Sequence, residues 1–355
     1  MRGLGWLALA TVGAVLIGSP CRKGWAAPGA SAAIRAPASS GISAGNLAVV
    51  INDADPLSVA IGNYYVQRRH IPAANVARVT FGDQRAVLPA EQFLALKAAV
   101  DRQLPASIEA YALTWREPYR VECMSMTAAF AFGFDTRLCA SGCAATRVSP
   151  YFDSSSTRPF EQLGLRPSMM LAAASFAQAR ALIDRGIRSD GSEPHGAAYL
   201  AISGDATRDV RAVQYPDVRM LVDGRVPIHI VNGPLEHRSD VMFYFIGAVH
   251  VPGLDTDRFL PGALADHLTS YGGVLVGGTQ MSALRWLEAG ATGSYGTVVE
   301  PCNFTAKFPN IGLLMRHYLA GETLIEAYWK SVAMPGQGLF IGEPLAAPYR
   351  RGPTH

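Results

Sequence analysis

The sequence predicts an α/β fold: a mostly parallel, doubly wound sheet with helices on both faces, arranged as two subdomains with a disulfide-stapled insertion. Three observations predict it. Short apolar runs alternate with helix-like stretches at the spacing of strand–helix–strand units. Those runs are apolar at successive positions rather than at every second one, as in strands covered on both sides. Residues 27–355, the chain left after a cleavable leader, exceed the ~250 residues that a single core usually serves.

The leader comes first. Arg2, the apolar run Leu4 to Ile17 and the small residues around Gly24-Trp25-Ala26 read as a signal peptide over residues 1–26. The run is shorter than the roughly 20 residues of a bilayer span, so no transmembrane helix is expected after its removal. The mature protein is expected to be exported, periplasmic or extracellular. Pro20 stands where lipid attachment at Cys21 needs a small residue. Removing residues 1–26 deletes Arg2, Arg22 and Lys23 and no acid, which takes the formal net charge from +3 to zero. A neutral chain has no electrostatic footprint for nucleic acid or anionic lipid. Residues 27–45, dense in Ala, Ser, Gly and Pro, read as a flexible leader.

The N-terminal α/β subdomain spans 46–115. Leu47 to Ile51 is a buried strand, and Asp55 caps a helix that Pro56 begins and Pro72 stops. A strand at Val76 to Thr80, a helix from Ala90 to Leu104 and a strand at Glu109 to Trp115 continue the alternation. Residues 116–170, with three cysteines and four prolines, read as an insertion outside the sheet.

The C-terminal α/β subdomain, 171–349, opens with a helix at Ser175 to Arg185, ended by Gly186. Strands follow at Ala197 to Ser203, Ile228 to Val231 and Val241 to Ile246. Then come a helix at Met281 to Glu288, a strand at Thr292 to Val299, and helices at Gly312 to Leu319 and Glu322 to Val332. In the last helix Leu324, Ile325, Tyr328, Trp329 and Val332 share one buried stripe.

Cys123, Cys139, Cys143 and Cys302 are an even set, which in an oxidising compartment implies two disulfides with three pairings open. Cys302 is expected to bond to Cys123, and Cys139 and Cys143 to form a local bridge or belong to separate ones. No Cys or His set has zinc-ligand spacing, and Gly272-Gly273 and Gly277-Gly278 lack the lysine of a phosphate loop, so no cofactor is expected.

Several segments together carry a resemblance. They are Asp55-Pro56-Leu57-Ser58, Tyr64-Tyr65, Arg69-His70-Ile71-Pro72, Arg166-Pro167-Ser168-Met169-Met170, Pro261-Gly262-Ala263, Asp266-His267-Leu268-Thr269-Ser270, Glu300-Pro301 and Gly342-Glu343-Pro344-Leu345. In these the chain resembles an uncharacterised family of exported bacterial proteins over roughly residues 46–349. Many relatives have Gly-Asp-Pro-Leu-Tyr where this chain has Gly342-Glu343-Pro344-Leu345-Ala346. More distantly it is similar to gingipain-type and caspase-like cysteine peptidases. That similarity implies a histidine after one buried strand and a nucleophile after the next. The position nearest the cysteine holds Ser270, and His250 is followed by Val251 instead of glycine.

The candidate site is therefore Ser270 as nucleophile with His250 as base. His267 is a rival base, and Asp255 or Asp266 the orienting group. A serine works as a nucleophile only with a base at roughly 2.6 to 3.2 Å. Ser270 can equally close a turn with its hydroxyl, and His267 can be a core or capping histidine. Cys302 is a weaker nucleophile, because neighbouring Glu300 opposes the thiolate. Glu300, Glu343 and Asp255 are carboxylates that would suit glycoside hydrolysis if two lay roughly 5 to 9.5 Å apart. Trp286 and Trp329 read as core. Asp255, Asp266, Tyr271 and Glu343 are the expected binding residues, with Ser270 and the Glu343 turn in one cleft. The sequence thus points to an exported hydrolase of peptidase type with an altered or lost nucleophile. The other reading is a non-catalytic envelope protein that binds a peptide, glycan or protein partner above the sheet.

Overall fold

Leu47–Asn52, six consecutive buried residues, forms strand β1. The computed structural model describes residues 41–82, 85–140 and 143–351. The expected signal peptide and residues 27–40 of the expected leader lie outside them. The rest of the expected leader is packed: Ile42 is buried, and its N–H donates to Glu326 Oε1 at 3.2 Å. One large apolar side chain among small ones is enough to anchor it.

Asp55 starts helix α1 (Pro56–Arg69) by accepting from the Leu57 N–H at 2.9 Å, and His70 ends it in the left-handed conformation. Strand β2 (Val76–Val79), the short β3 (Val87–Leu88), helix α2 (Ala90–Gln103) and strand β4 (Ala110–Leu113) follow. The segment expected to lie outside the sheet builds β5 (Arg120–Val121), β6 (Met124–Ser125), a buried helix α3 (Met126–Phe132), α4 (Pro159–Leu163) and β7 (Ser168–Met170). With β3, the strands β5 and β6 make a separate three-stranded sheet. Strand β7, by contrast, enters the main sheet, a correction to the insertion reading: its three residues are too few to show a period, yet all are buried.

Helix α5 (Phe176–Ser189) starts on Ser175, as expected, but runs through Gly186 instead of ending there. Next come β8 (Ala197–Ile202), helix α6 (Tyr215–Leu221), β9 (Ile228–Asn232) and β10 (Val241–Gly247). Strand β11 (Phe259–Leu268) has no counterpart in the sequence reading. Pro261 and Gly262, the latter at φ +88°, interrupt its pattern, and its register against β10 slips there. Helix α7 (Leu284–Ala289), β12 (Gly293–Thr297), α8 (Ile311–Leu319), α9 (Leu324–Ser331) and β13 (Gly338–Gly342) complete the chain. Thr323 and Glu326 bond reciprocally at the start of α9, a capping box.

The main sheet has ten strands in the order β2-β1-β4-β7-β13-β12-β11-β10-β8-β9. Every neighbouring pair is parallel except β12 and β13. This antiparallel seam divides the sheet into two blocks that run in opposite directions, so their carboxyl ends lie at opposite edges. Helices cover both faces. On β11, α7 packs Trp286 against His267, while α9 lays Leu324 and Tyr328 over Gly293 of β12 on the other side. No helix among the described residues is long and apolar enough to cross a membrane.

The four cysteines form two disulfides, Cys123–Cys139 and Cys143–Cys302, with Cα separations of 5.4 and 5.1 Å. The expected Cys302–Cys123 pairing is corrected: β5, β6 and α3 hold Cys123 beside its near neighbour Cys139, and the turn after β12 meets Cys143.

Candidate functional site

The carboxyl ends of β10, β11 and β12 place most of the candidate residues at one edge. Gly247 of β10 pairs with Leu268 of β11, so His250 and Ser270 leave adjacent strands three and two residues beyond that rung, respectively. Ser270 is half-buried, and its carbonyl accepts from the Thr297 hydroxyl at 2.9 Å. Its own hydroxyl bonds to nothing among the described residues. His250 is exposed, and its ring is likewise without a hydrogen bond there.

The turn that carries Ser270 is held from several directions. Gln280 Oε1 accepts from the Thr269 hydroxyl and the Tyr271 N–H, both at 2.8 Å. The Gly273 N–H donates to the Thr297 carbonyl at 2.9 Å, and the Ala283 N–H to the Gly272 carbonyl at 2.7 Å. A β-carbon on Gly273 would lie 2.5 Å from the Gly296 carbonyl oxygen, so glycine is required for the turn to lie flat on β12. The N–H groups of Tyr271 and Gly273 are therefore already committed.

His267 is not a base for Ser270. It is buried, with Trp286 Nε1 donating to Nδ1 at 2.9 Å and Nε2 at 3.0 Å from the Met281 carbonyl. Indole N–H is a donor only, so Nδ1 accepts and the proton sits on Nε2, donating to Met281. Burial, with smaller contributions from Arg211 and His250, lowers its pKa to about 3 against the opposing Met281 bond. The ring is a neutral core histidine with both nitrogens used.

Asp266 faces the other side of β11, as strand alternation requires, and is also corrected as a binding residue. It is buried in an ion pair with Arg211 Nη2 at 2.5 Å. Burial raises its pKa, and Arg211 opposes that rise. Asp255 is exposed in the loop after β10, 3.7 Å from Arg285, and bonds to neither histidine. Tyr271 is 37% exposed at the lip of the turn. Glu300, just beyond β12, accepts from the Cys302 N–H at 2.7 Å. Cys302, being in a disulfide, is no nucleophile.

Glu343 does not share this edge. It follows β13, which runs against β12, and its N–H donates to the Thr292 carbonyl at the start of β12, whereas Thr297 at the other end holds Ser270. Five residues at about 3.3 Å each separate the two by roughly 17 Å. Glu343 is fully buried instead. It accepts from the Tyr65 hydroxyl at 2.6 Å, from Arg69 Nε at 3.1 Å and from Arg69 Nη2. Asp190 takes the remaining Arg69 nitrogen and the Ala347 N–H. The expectation of one cleft is thus overturned by the antiparallel seam. Tyr65, Arg69 and Glu343, quoted from separate motifs, meet in one structural ion-pair network.

Sequence reasoning missed Gln280, Thr297, Arg208 and Lys307. Arg208 reaches Thr269 Oγ1 at 3.5 Å and is held by Asp205 at 2.6 Å. Only Thr269 had a signal, its place beside Ser270 in a quoted motif. An open cavity of about 760 Å³ lies at the far edge between the end of β2 and α2. Its one titratable residue, Arg78, is already bonded to Asp53 and Asn63. Among the described residues no cluster of His, Cys, Asp and Glu is arranged to hold a metal.

No protein-family model matches the chain, and no curated protein is similar to it. Among solved structures it is similar to the complex of the pro- and mature domains of RgpB from Porphyromonas gingivalis. The TM-score there is 0.46 at 9% identity, over 85% of this chain and 80% of that one. It is also similar to a protease, with a TM-score of 0.47 at 11% identity over 88% of this chain and 80% of the other.

Proposed function

We propose that the protein is a non-catalytic binding protein that holds a peptide-like ligand at the carboxyl ends of β10, β11 and β12. One observation carries this reading: the nearest buried histidine, His267, spends both ring nitrogens on Trp286 and Met281, leaving Ser270 without a base in contact. The occupied N–H groups of Tyr271 and Gly273 support it. Two disulfides support an oxidising, exported setting.

A second reading, a peptidase-type hydrolase using Ser270 and His250, is favoured by the pairing of Gly247 with Leu268, which puts both residues at adjacent strand ends. Labelling of folded protein with a fluorophosphonate decides between the two. The binding reading expects no adduct. Stoichiometric labelling that Ser270→Ala abolishes would replace it with the hydrolase.

A further inference from the structure

Lys307 is fully buried, and its ammonium has no hydrogen-bond partner among the described residues. It lies in the turn after β12, anchored there by the Tyr295 hydroxyl, which donates to the Lys307 carbonyl. The amine sits 5.7 Å from the ring centroid of Phe304, which is itself 38% exposed. An unpaired buried ammonium is costly, and a fold keeps one only where something returns the lost solvation. Burial lowers its pKa, and Glu300, the acid that acts on it, pulls the other way.

The acids at this edge already have donors. Asp205 is held by Thr207 and Arg208, Asp209 by Ser203 and Gly204, and Glu300 by the Cys302 N–H. Outside the Asp266–Arg211 pair, whose Asp266 Oδ2 and Arg211 Nε and Nη1 have no hydrogen-bond partner among the described residues, the unsatisfied charged groups at this edge are basic. Besides Lys307, Arg120 reaches the β12 end through Nη1 to the Val298 carbonyl at 3.5 Å, and its buried Nε has no hydrogen-bond partner among the described residues. The rim adds apolar surface from Tyr271, Val276 and Phe304, which follow neighbouring strands.

We propose that Lys307, uncovered by a turn of the Phe304 ring, binds a carboxylate flanked by an apolar or aromatic group, carried by a peptide C-terminus or a small acid. This deepens the binding reading and rests on it. The ammonium would form charge-assisted hydrogen bonds to the carboxylate, and the apolar neighbour would lie along the Tyr271 and Phe304 rim.

Calorimetric titration of the full chain with N-acetylphenylalanine, its amide, and a tetrapeptide ending in phenylalanine as free acid and as amide tests this. Each acid is expected to bind about 10-fold tighter than its amide. Lys307→Met is expected to erase that preference while raising Tm, since it removes a buried unpaired charge. A tighter tetrapeptide assigns the site to peptide termini, and equal affinities assign it to small acids. Equal binding of acid and amide to the wild-type chain, or a preference that survives Lys307→Met, overturns the carboxylate site. If equal binding is weakened by Tyr271→Ala, the edge still binds ligands and only the role of Lys307 fails. Absence of binding by all four probes removes both readings.

Discussion

The carboxylate of Glu343 occupies the space that a side chain on Gly186 would need: a β-carbon there would lie 2.6 Å from Glu343 Oε2 and 2.9 Å from its Cβ. A glycine inside α5 thus admits the acid that follows β13 into contact with Arg69 and Tyr65.

Gly186→Ala is therefore expected to destabilise the protein, by about 1–3 kcal/mol from overpacking. An unobstructed Gly→Ala change inside a helix would instead stabilise by up to about 1 kcal/mol. The sign of the change in urea unfolding separates the two.

Glu343→Ala removes the main counter-charge from Arg69, whose side chain is only 10% exposed. The cost is expected to be about 3–5 kcal/mol, the usual result of breaking a buried pair on one side. Combining Arg69→Met with Glu343→Met should recover much of it, a non-additivity that a double-mutant cycle measures.

His267 makes stability pH-dependent. Its folded pKa, about 3, lies below the unfolded value of about 6.5. Its contribution is complete above pH 6.5. It declines as the pH falls towards 3, because the unfolded chain takes up a proton that the folded one refuses, at up to about 1.4 kcal/mol per pH unit. Denaturation midpoints over that window should flatten in His267→Gln relative to wild type. Parallel slopes would show that the ring does not carry the effect.

The two disulfides close separate loops of very different length, with sequence separations of 16 and 159. Chain entropy assigns about 3 kcal/mol to Cys123–Cys139 and about 5 kcal/mol to Cys143–Cys302. Replacing each pair by alanines and comparing unfolding free energies is expected to reproduce that order, and mass spectrometry of the native protein to find these four thiols oxidised.

Where a residue's local signal matched its tertiary role, the sequence was readable. Leu47 to Ile51, Asp55 with Pro56, and the stripe of α9 each declare their element through side chains that cap or bury locally. Where tertiary contact overrode the local signal, it was not. Gly186 looks like a helix stop but is a contact surface for Glu343. Pro261 and Gly262 look like loop but sit at a register slip inside β11. Ser168–Met170 is too short to show any period. The expected union of Ser270 with Glu343 failed for a topological reason: strand direction at the β12–β13 seam depends on long-range pairing, which no local spacing encodes. The strand that leads into Ser270, β11, was itself not legible, so the placement of His250 and Ser270 after neighbouring strands came from the peptidase resemblance and not from local pattern. Lys307 gave no signal, since burial of a lysine is visible only once Phe304 and Tyr295 are in place.

Strand β13, residues 338–342, lies between β7 and β12, in the middle of the sheet. It is the last strand of that sheet in chain order, and without it both half-sheets carry a raw inner margin. A chain cut short before Gly338 keeps most of its strands yet exposes two sticky borders suited to mispairing with other chains.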